Sequence, residues 1–430
     1  MAAFSNADAL AVQLEVVHPL LPKYYDCEDT LGSRFSKITP QEVSTRDFRL
    51  PIPMSPGGKF RQINSDGGAY GRGSGPNYQY ATLVPYETAI VCEWTKKLEY
   101  VTDSKTKSVA NVIQKLVADM MVEYKVYHDK ILQTSGDGKL ASGASSTTSG
   151  LYTVVTCAAP FGSRLLRKGQ TVQVFSSSAM TTYRGTLVVD SVDYPNSTFS
   201  TITTNRPAGF AATDVFAVEN STFSAVGTVT KPVFMNGIAN QHSNAATGTW
   251  QNLSRVDYPE VRTPAVNAAS GALTTTMPNV ALAKIEQVLG QEVWNDAKPF
   301  WYMSLEQHVA YTQLIQNVSE VSLGTGGSNG NVDMIHTRKQ NRKMAGVEIV
   351  PSLNADNTRI DLIDGNNWVR ATWQEPQIVT MAGMTKLPIR DSSGGYGGGE
   401  IFYISSALNF AAKVPRKGAY VYNLAVPSFA

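Results

Sequence analysis

A long amphipathic helix is the feature of this sequence that most constrains the fold, and it is predicted from Ser104 to Thr134, about thirty residues. Apolar side chains recur every three or four positions in this segment, which is the spacing of one helical face. The apolar positions are Val109, Val112, Ile113, Leu116, Val117, Met120, Tyr124, Tyr127 and Ile131. At ~1.5 Å per residue the helix is roughly 45 Å long, which is enough to brace one edge of a domain.

Both ends of this segment carry helix-end signals. Asp103 or Ser104 can cap the first turn, and Lys130 suits the last turn. Gly136 and Gly138 follow, where a left-handed residue ends a helix at low cost. The apolar pattern does not keep a heptad spacing, so a packed spine helix is favoured over a coiled coil.

A long arm precedes the helix, and residues 47–84 are predicted to form it as a two-stranded hairpin. Alternating apolar residues in the first limb lead into the turn sequence Ser55–Gly58, and a second glycine cluster follows at Gly67–Gly75. The return limb alternates Tyr78, Tyr80, Thr82 and Val84. An isolated two-stranded arm is marginally stable, and its aromatic and β-branched residues argue against disorder. We therefore expect a neighbouring molecule to order this arm.

Composition excludes several classes of protein. The 430 residues are 42 % hydrophobic, which is ordinary for a globular chain of two or three domains. No apolar run approaches the ~20 residues that cross a bilayer, and no signal peptide is visible, so a soluble, non-exported product is expected. Cys27, Cys92 and Cys157 have no CxxC spacing and are predicted to be free thiols. The formal charge is only +2, and no sustained cationic face is visible along the sequence.

The remaining segments indicate a mixed α+β body. Residues 135–150 are nearly all Gly, Ser, Ala and Thr and are predicted to be a flexible linker. Short strands between turns over residues 151–230 predict a small inserted β-barrel or sandwich. Helices are predicted from Pro278 to Trp294 and, after a capping box at Ser304, to about Ser319. Strands dominate the region that follows a glycine loop at residues 324–330.

No set of catalytic residues is found. The five histidines do not form a zinc-binding pair, and no phosphate-binding loop with its Lys-Ser/Thr ending is present. Residues 326–330 match the letters of a serine-nucleophile turn, but in a polar loop after a helix rather than between a strand and a helix. Glu292 and Asp296 share a helical face and are interpreted as a solvated surface pair. No catalytic, metal or cofactor-binding residue and no cofactor is predicted, and the chain is not expected to be an enzyme.

The densest basic cluster consists of Arg338, Lys339, Arg342 and Lys343. It can contact a phosphate backbone or an acidic neighbouring subunit, and a solvated loop is an equal alternative.

The order of arm, glycine-rich hairpin, long helix, inserted β-domain and mixed domain resembles the major capsid proteins of tailed bacteriophages, which have the HK-ninety-seven-like fold. In this resemblance residues 47–84 correspond to the extended E-loop and residues 104–134 to the spine helix. Leu253-Ser254-Arg255 and Asp257-Tyr258-Pro259 are similar to a segment that often follows the insert, although Glu260-Val261 replaces the usual tryptophan.

The resemblance implies a division of the chain into six parts. These are an N-terminal arm (1–46), the E-loop hairpin (47–84), a peripheral domain with the spine helix (85–150), the inserted β-domain (151–230), a return to the peripheral domain (231–277) and an axial domain with strands returning to the peripheral domain (278–430).

The resemblance also implies a function and a set of contacts. The chain is expected to be a structural subunit that assembles, in the host cytoplasm, into an icosahedral virion capsid of pentamers and hexamers around double-stranded DNA. The predicted inter-subunit contacts of the E-loop are Phe48, Lys59, Phe60, Tyr70, Tyr78 and Tyr80. The predicted loop at the capsomer centre contains Gly324, Gly326 and Gly330. The expected partners are further copies of the chain, a portal protein, scaffolding and cement proteins and, weakly, the packaged DNA, with no membrane.

Two alternatives stay open at the level of sequence. An encapsulin-like bacterial compartment would use the same fold around enzymes instead of DNA. A β-rich virion accessory protein would use the inserted domain as its functional part and would remain a small oligomer.

Overall fold

The structure is a computed structural model of the chain, and it describes residues 30–38, 48–60, 72–96, 112–322, 343–379, 386–390 and 396–427. In chain order the strands are β1 (Ser36–Ile38), β2 (Phe48–Ser55), β3 (Asn77–Leu83), β4 (Tyr86–Thr95), β5 (Lys139–Ser149), β6 (Tyr152–Cys157), β7 (Thr171–Phe175), β8 (Thr182–Val188), β9 (Ser191–Asp193), β10 (Thr198–Ile202), β11 (Val215–Val218), β12 (Gly227–Thr228), β13 (Thr249–Trp250), β14 (Leu253–Ser254), β15 (Ala265–Asn267), β16 (Pro299–Ser304), β17 (Lys343–Met344), β18 (Val347–Ser352), β19 (Ile360–Asp364), β20 (Trp368–Ile378), β21 (Leu387–Arg390), β22 (Tyr396–Ala412) and β23 (Ala419–Tyr422). The helices are α1 (Val112–Leu132), α2 (Ile238–Gln241), α3 (Thr276–Leu289) and α4 (Leu305–Ser322).

The long helix α1 lies against one face of a five-stranded sheet. The sheet has the order β1-β20-β22-β21, and β4 pairs with the other edge of β22. Apolar residues of β4 and β22 point to the helix because alternate residues of a strand share a face. They pack with the helix in one cluster that contains Cys92, Trp94, Phe402 and Ile404 from the strands and Val117, Met120, Met121 and Tyr124 from α1.

The described part of α1 begins at Val112 and ends at Leu132, whereas the sequence predicted Ser104 to Thr134. Residues 97–111, with the predicted apolar position Val109, lie outside the described residues. The last turn ends with a hydrogen bond from Thr134 Oγ1 to the carbonyl oxygen of Ile131 (2.8 Å). Gly136 then adopts a positive φ of 80°, the conformation in which glycine commonly ends a helix.

A six-stranded mixed sheet forms the second part of the body. Its order is β15-β23-β19-β16-β18-β17, and α3 and α4 pack against it. The core between the sheet and these helices includes Trp301, Met303, Ile360 and Ile285. A separate apolar cluster with Trp368, Phe410, Leu132 and Tyr302 joins this sheet to the five-stranded sheet and the end of α1.

The inserted region is an eight-stranded sheet of order β12-β8-β7-β11-β5-β6-β10-β9 around its own apolar core. Its first strand, β5, starts at Lys139, so the expectation that residues 135–150 are a flexible linker is wrong. β5 pairs with β6 on one side and β11 on the other, which supplies its backbone hydrogen bonds. The Ser/Thr composition arises because residues 144–149 are mostly exposed, so that half of the strand needs no apolar side chains.

Candidate functional site: the hairpin and the open face of the sheet

The predicted hairpin is present as the antiparallel pair β2 and β3. Its strands alternate between an inner and an outer face, and Phe48 lies opposite Leu83 in the register. The inner face carries Leu50, Ile52, Met54 and Ala81, which pack against Trp250, Leu253 and Val261. The base of the hairpin is therefore seated on the chain's own body.

This seat corrects the expectation that a neighbouring molecule orders the whole arm. The backbone N–H of Thr82 donates to the carbonyl oxygen of Gln251 (3.1 Å), and the indole of Trp250 is fixed by a hydrogen bond to Gln241 Oε1 (2.9 Å). The seat consists of residues about 170 positions farther along the chain, so local alternation in the sequence could not indicate it. A sister copy is thus not needed to order the base.

The outer face of the hairpin is aromatic and exposed. Tyr78 and Tyr80 are 54 % and 58 % exposed, and in the register they lie opposite Pro53 and Pro51. Tyrosine presents a large rigid surface at a low entropic cost, which makes it common in protein interfaces. Prolines occur in edge strands where the missing N–H would have faced solvent, so this edge of β2 is poorly suited to strand addition. The contact surface that the hairpin offers is its side-chain face.

The two limbs of the hairpin are in close contact at glycine residues just beyond β2 and before β3. Gly57 has a φ of 71°, and a Cβ there would lie 2.5 Å from the carbonyl carbon of Gly75. The N–H of Gly58 donates to the carbonyl oxygen of Ser74 (2.8 Å), so the two limbs are joined at this point. Lys59 and Phe60 directly follow Gly58; Lys59 is exposed and Phe60 is fully exposed.

Two other predicted contact residues of the hairpin have different positions. Phe48 packs with Leu83, Val369 and Ala371 in a cluster at the hairpin base, so much of its surface is used within the chain. Tyr70 lies outside the described residues.

The five-stranded sheet has a second face, opposite α1, that is only partly covered. Tyr403 of β22 lies opposite Val91 of β4, and Ile401 lies opposite Leu387 of β21. Val91 is 39 % exposed, and the other three are half-buried. We call these four residues the open face. The sequence did not indicate it, because β22 and β4 are separated by about 300 residues and only the register unites their odd-numbered positions.

The covered face is fixed to α1 by polar contacts as well as by packing. The hydroxyl of Tyr124 lies 2.7 Å from Ser406 Oγ and donates to the carbonyl oxygen of Thr88 (2.8 Å). His128 Nδ1 lies 2.9 Å from the carbonyl oxygen of Tyr124, and its Nε2 lies 3.1 Å from Thr88 Oγ1. Burial lowers the pKa of His128 to about 4, so the ring is neutral near pH 7. These contacts hold the helix in one position on the sheet.

The remaining predicted positions give no catalytic or metal arrangement in the described part of the chain. Gly324, Gly326 and Gly330 and the basic residues Arg338, Lys339 and Arg342 lie outside the described residues, and Lys343 is exposed at the start of β17. Glu292 and Asp296 are exposed, as expected for a surface pair. Where side chains are described, no group of three or more His, Cys, Asp and Glu is arranged to hold a metal ion. None of the described helices combines the length and apolar character needed to span a membrane.

The two described cysteines are buried free thiols. Burial raises the pKa of Cys92 to about 11 and that of Cys157 to about 12, so both are protonated and unreactive at neutral pH. Cys27 lies outside the described residues.

The whole chain has the fold of a phage capsid protein. It superimposes on the protein of the cyanophage A-1(L) capsid asymmetric unit with a TM-score of 0.55 and 12 % sequence identity, covering 98 % of this chain and 99 % of that chain. This likeness confirms the predicted α+β capsid-protein fold. At such low identity the likeness establishes the fold alone, because one fold can carry several functions.

Two other solved structures are similar at a lower level. The capsid protein of a native GTA particle gives a TM-score of 0.47 at 9 % identity and 99 % coverage of both chains. The encapsulin of the holo-SrpI complex from Synechococcus elongatus gives 0.46 at 10 % identity, covering 100 % of this chain and 99 % of that chain. No protein-family model matches the sequence, and no curated protein matches it significantly.

Proposed function

We propose that the chain is the structural subunit of an icosahedral capsid shell that encloses the double-stranded DNA genome of a tailed phage. The observation that carries the proposal is the hairpin. Its base is seated on its own body, while on its outer face more than half of the surface of Tyr78 and Tyr80 is exposed. The full-length likeness to the cyanophage capsid protein supports it.

The contact between copies would be heterologous. The outer face of the hairpin exposes the aromatic side chains Tyr78 and Tyr80, and the open face of the sheet exposes apolar surface at Val91, so one surface can lie on the other in a neighbouring copy. Contacts between two different surfaces close into rings when the rotation allows, as pentamers and hexamers require. Many such interfaces would add up to a kinetically stable shell.

The finer division follows the HK-ninety-seven-like fold in this proposal. Residues 48–83 act as the E-loop, α1 as the spine helix, the five-stranded sheet as the peripheral domain and the six-stranded sheet as the axial domain. Residues 139–228 form the insert. The virion capsid is the proposed location, after assembly in the host cytoplasm, with a portal protein and scaffolding or cement proteins as proposed partners. The proposed role is structural, without catalysis.

Electron microscopy of the purified chain, alone and with any scaffolding protein encoded beside it, tests the shell. Uniform polyhedral particles are expected. Monomers under every assembly condition would overturn the proposal, and a stable small oligomer would favour an accessory protein. Shells that co-purify with enzymes and lack a portal vertex would favour a compartment instead.

The specific contact can be tested by paired cysteines. Tyr80→Cys on the hairpin and Tyr403→Cys on the open face should form disulfides between copies on mild oxidation, giving a ladder on a denaturing gel. The buried native thiols Cys92 and Cys157 should not interfere. Tyr80→Cys combined with Tyr152→Cys, which places the second thiol on the exposed surface of the insert, is the matched control and should give no ladder.

A further inference from the structure

Three loops that are distant in the sequence meet where the chain crosses between the two body sheets. Residues 365–367 connect β19 to β20, residues 413–418 connect β22 to β23, and residues 295–298 precede β16. Together they carry the cations Lys298, Lys413, Arg416 and Lys417. We call this set the crossing surface.

Hydrogen bonds fix the loops to one another. Asn367 is buried, and its side chain both donates to the carbonyl oxygen of Val414 and accepts from the N–H of Val414, at 2.9 Å each. The N–H of Lys413 donates to the carbonyl oxygen of Asn367 (2.9 Å). The N–H of Gly365 donates to the carbonyl oxygen of Lys298 (3.1 Å), which joins the third loop. The backbone that presents the cations is therefore held in place before any ligand binds.

The four cations are not neutralised within the described chain. Lys298 is exposed and the other three are partly exposed, and among the described residues none of the four forms an ion pair. Asp364 is buried and accepts the N–H groups of Lys298 and Asn366. The three loops carry four cations and a single carboxylate, that of Asp296. On the elements that contact the 413–418 loop, Glu260 is exposed and Glu286 of α3 is half-buried. Positive charge thus predominates within the loops themselves, although the whole chain carries only +2.

We propose that the crossing surface binds the phosphate backbone of double-stranded DNA. The loops carry Lys and Arg, whose side chains commonly contact phosphate oxygens and so hold a protein on a duplex. They carry no aromatic side chain on which an unpaired base would stack, which favours a duplex over a single strand. They also lack a large, fully exposed apolar side chain, because Pro415 is buried and Val414 is half-buried, and a protein partner would need such an anchor. This inference rests on the proposed function, in which the shell encloses DNA, and it assigns the contact with that DNA to the crossing surface.

The experiment measures binding of a fluorescein-labelled duplex of random sequence to the purified full-length chain as the NaCl concentration is varied. The test variant is Lys413→Gln/Arg416→Gln/Lys417→Gln, which keeps long polar side chains. The control variant is Lys125→Gln/Lys168→Gln/Arg390→Gln, which removes the same number of lysines and arginines at exposed positions outside the crossing surface. Circular dichroism and thermal melting check that both variants fold.

Each lost phosphate contact reduces the slope of log K against log[salt] by about 0.9, so the test variant should lose a slope of about 2 to 3 and the control less than about 1. Equal slope losses in both variants would overturn the proposal, as would an unchanged slope in the test variant. Reduced self-association with an unchanged slope would assign the surface to an acidic patch on another copy, which also overturns it. Electron microscopy of the same proteins shows whether particles form. Normal particles together with an unchanged slope would refute DNA binding at this surface while leaving the proposed shell intact.

Discussion

The Nδ1 atom of His242 lies 3.1 Å from Oδ1 of Asp361, and both side chains are almost completely shielded from solvent. The Nε2 atom of His242 accepts a hydrogen bond from the indole N–H of Trp368 (3.3 Å), which places the ring proton on Nδ1. Arg359 donates to both carboxylate oxygens of Asp361 and to the carbonyl oxygen of His242. The adjacent Gln241 holds Trp250, so this network supports the seat of the hairpin.

Removing the charge of Asp361 tests the network. Burial by itself would raise the pKa of Asp361, but the guanidinium of Arg359 and the hydrogen bond from His242 lower it, so Asp361 is ionised. Asp361→Asn removes the carboxylate charge to which the largely covered Arg359 is hydrogen-bonded, and we expect the free energy of unfolding to fall by about 3–5 kcal/mol. Urea denaturation measures the change. Asp296→Asn, at an exposed position, should change it by less than about 0.5 kcal/mol, and similar values for both variants would contradict the interpretation.

The two buried histidines predict a loss of stability in mild acid. The pKa of His128 is about 4 in the folded chain against 6.5 for the unfolded group, and burial also lowers the pKa of His242. The unfolded chain therefore binds the protons first as the pH falls. Above pH 6.5 the neutral ring of His128 makes its full contribution to the free energy of unfolding. Between pH 6.5 and about pH 4 this contribution is lost, at about 1.4 kcal/mol per pH unit.

Urea denaturation of the wild type and of His128→Gln, at several values between about pH 7 and about pH 5, measures this loss. The unfolding free energy of the variant should fall less steeply with decreasing pH than that of the wild type. The difference in slope should correspond to close to one bound proton. Parallel curves for the two proteins would show that His128 is not the titrating group.

Two arginines of the insert form ion pairs with helices of the body. Arg164 pairs with Glu306 of α4 (3.1 Å), and Arg167 pairs with Glu123 of α1 (3.1 Å) above the ring of Tyr127. Both arginines are almost fully buried, so Arg164→Ala should lower the free energy of unfolding by about 2–4 kcal/mol. Hydrogen exchange should quicken first in the amides of the loop that contains Arg164. Lys168→Ala, exposed in the same loop, is the control and should change neither quantity measurably.

Local patterns in the sequence predicted the elements whose cause is local. The alternation of apolar residues predicted β2 and β3, and the capping box at Ser304 matches a hydrogen bond from the N–H of Gln307 to Ser304 Oγ (3.1 Å). The strand β5 was missed because its polar residues follow its exposure rather than a flexible backbone. Amino-acid composition indicates how many apolar side chains a segment can bury. A strand at the surface needs few of them, so a polar composition does not exclude a strand.

The surfaces that carry the proposals could be predicted only in part. The aromatic residues of the hairpin were visible as a motif, but its seat at Trp250, the open face and the crossing surface each unite residues that are over a hundred positions apart. Such contacts depend on strand register and on the path between the sheets, which single-sequence periodicity does not contain. The proposed site was therefore half predictable from the sequence: the hairpin was indicated, and its partner surface was not.

The outer face of the hairpin should matter for assembly and hardly at all for the stability of one chain. Tyr78 and Tyr80 are more than half exposed, so Tyr78→Ser/Tyr80→Ser removes little buried surface, and the free energy of unfolding should change by less than about 1 kcal/mol. In a shell the same two side chains would be covered by the neighbouring copy, and losing them from every contact should abolish particles seen by electron microscopy. Tyr152→Ser, exposed to 43 % on the insert, should leave particle yield unchanged. Normal shells from the double variant would mean that the contact between copies lies elsewhere on the chain, because central aromatic side chains carry much of the binding energy of an interface and their loss would be repeated at every contact.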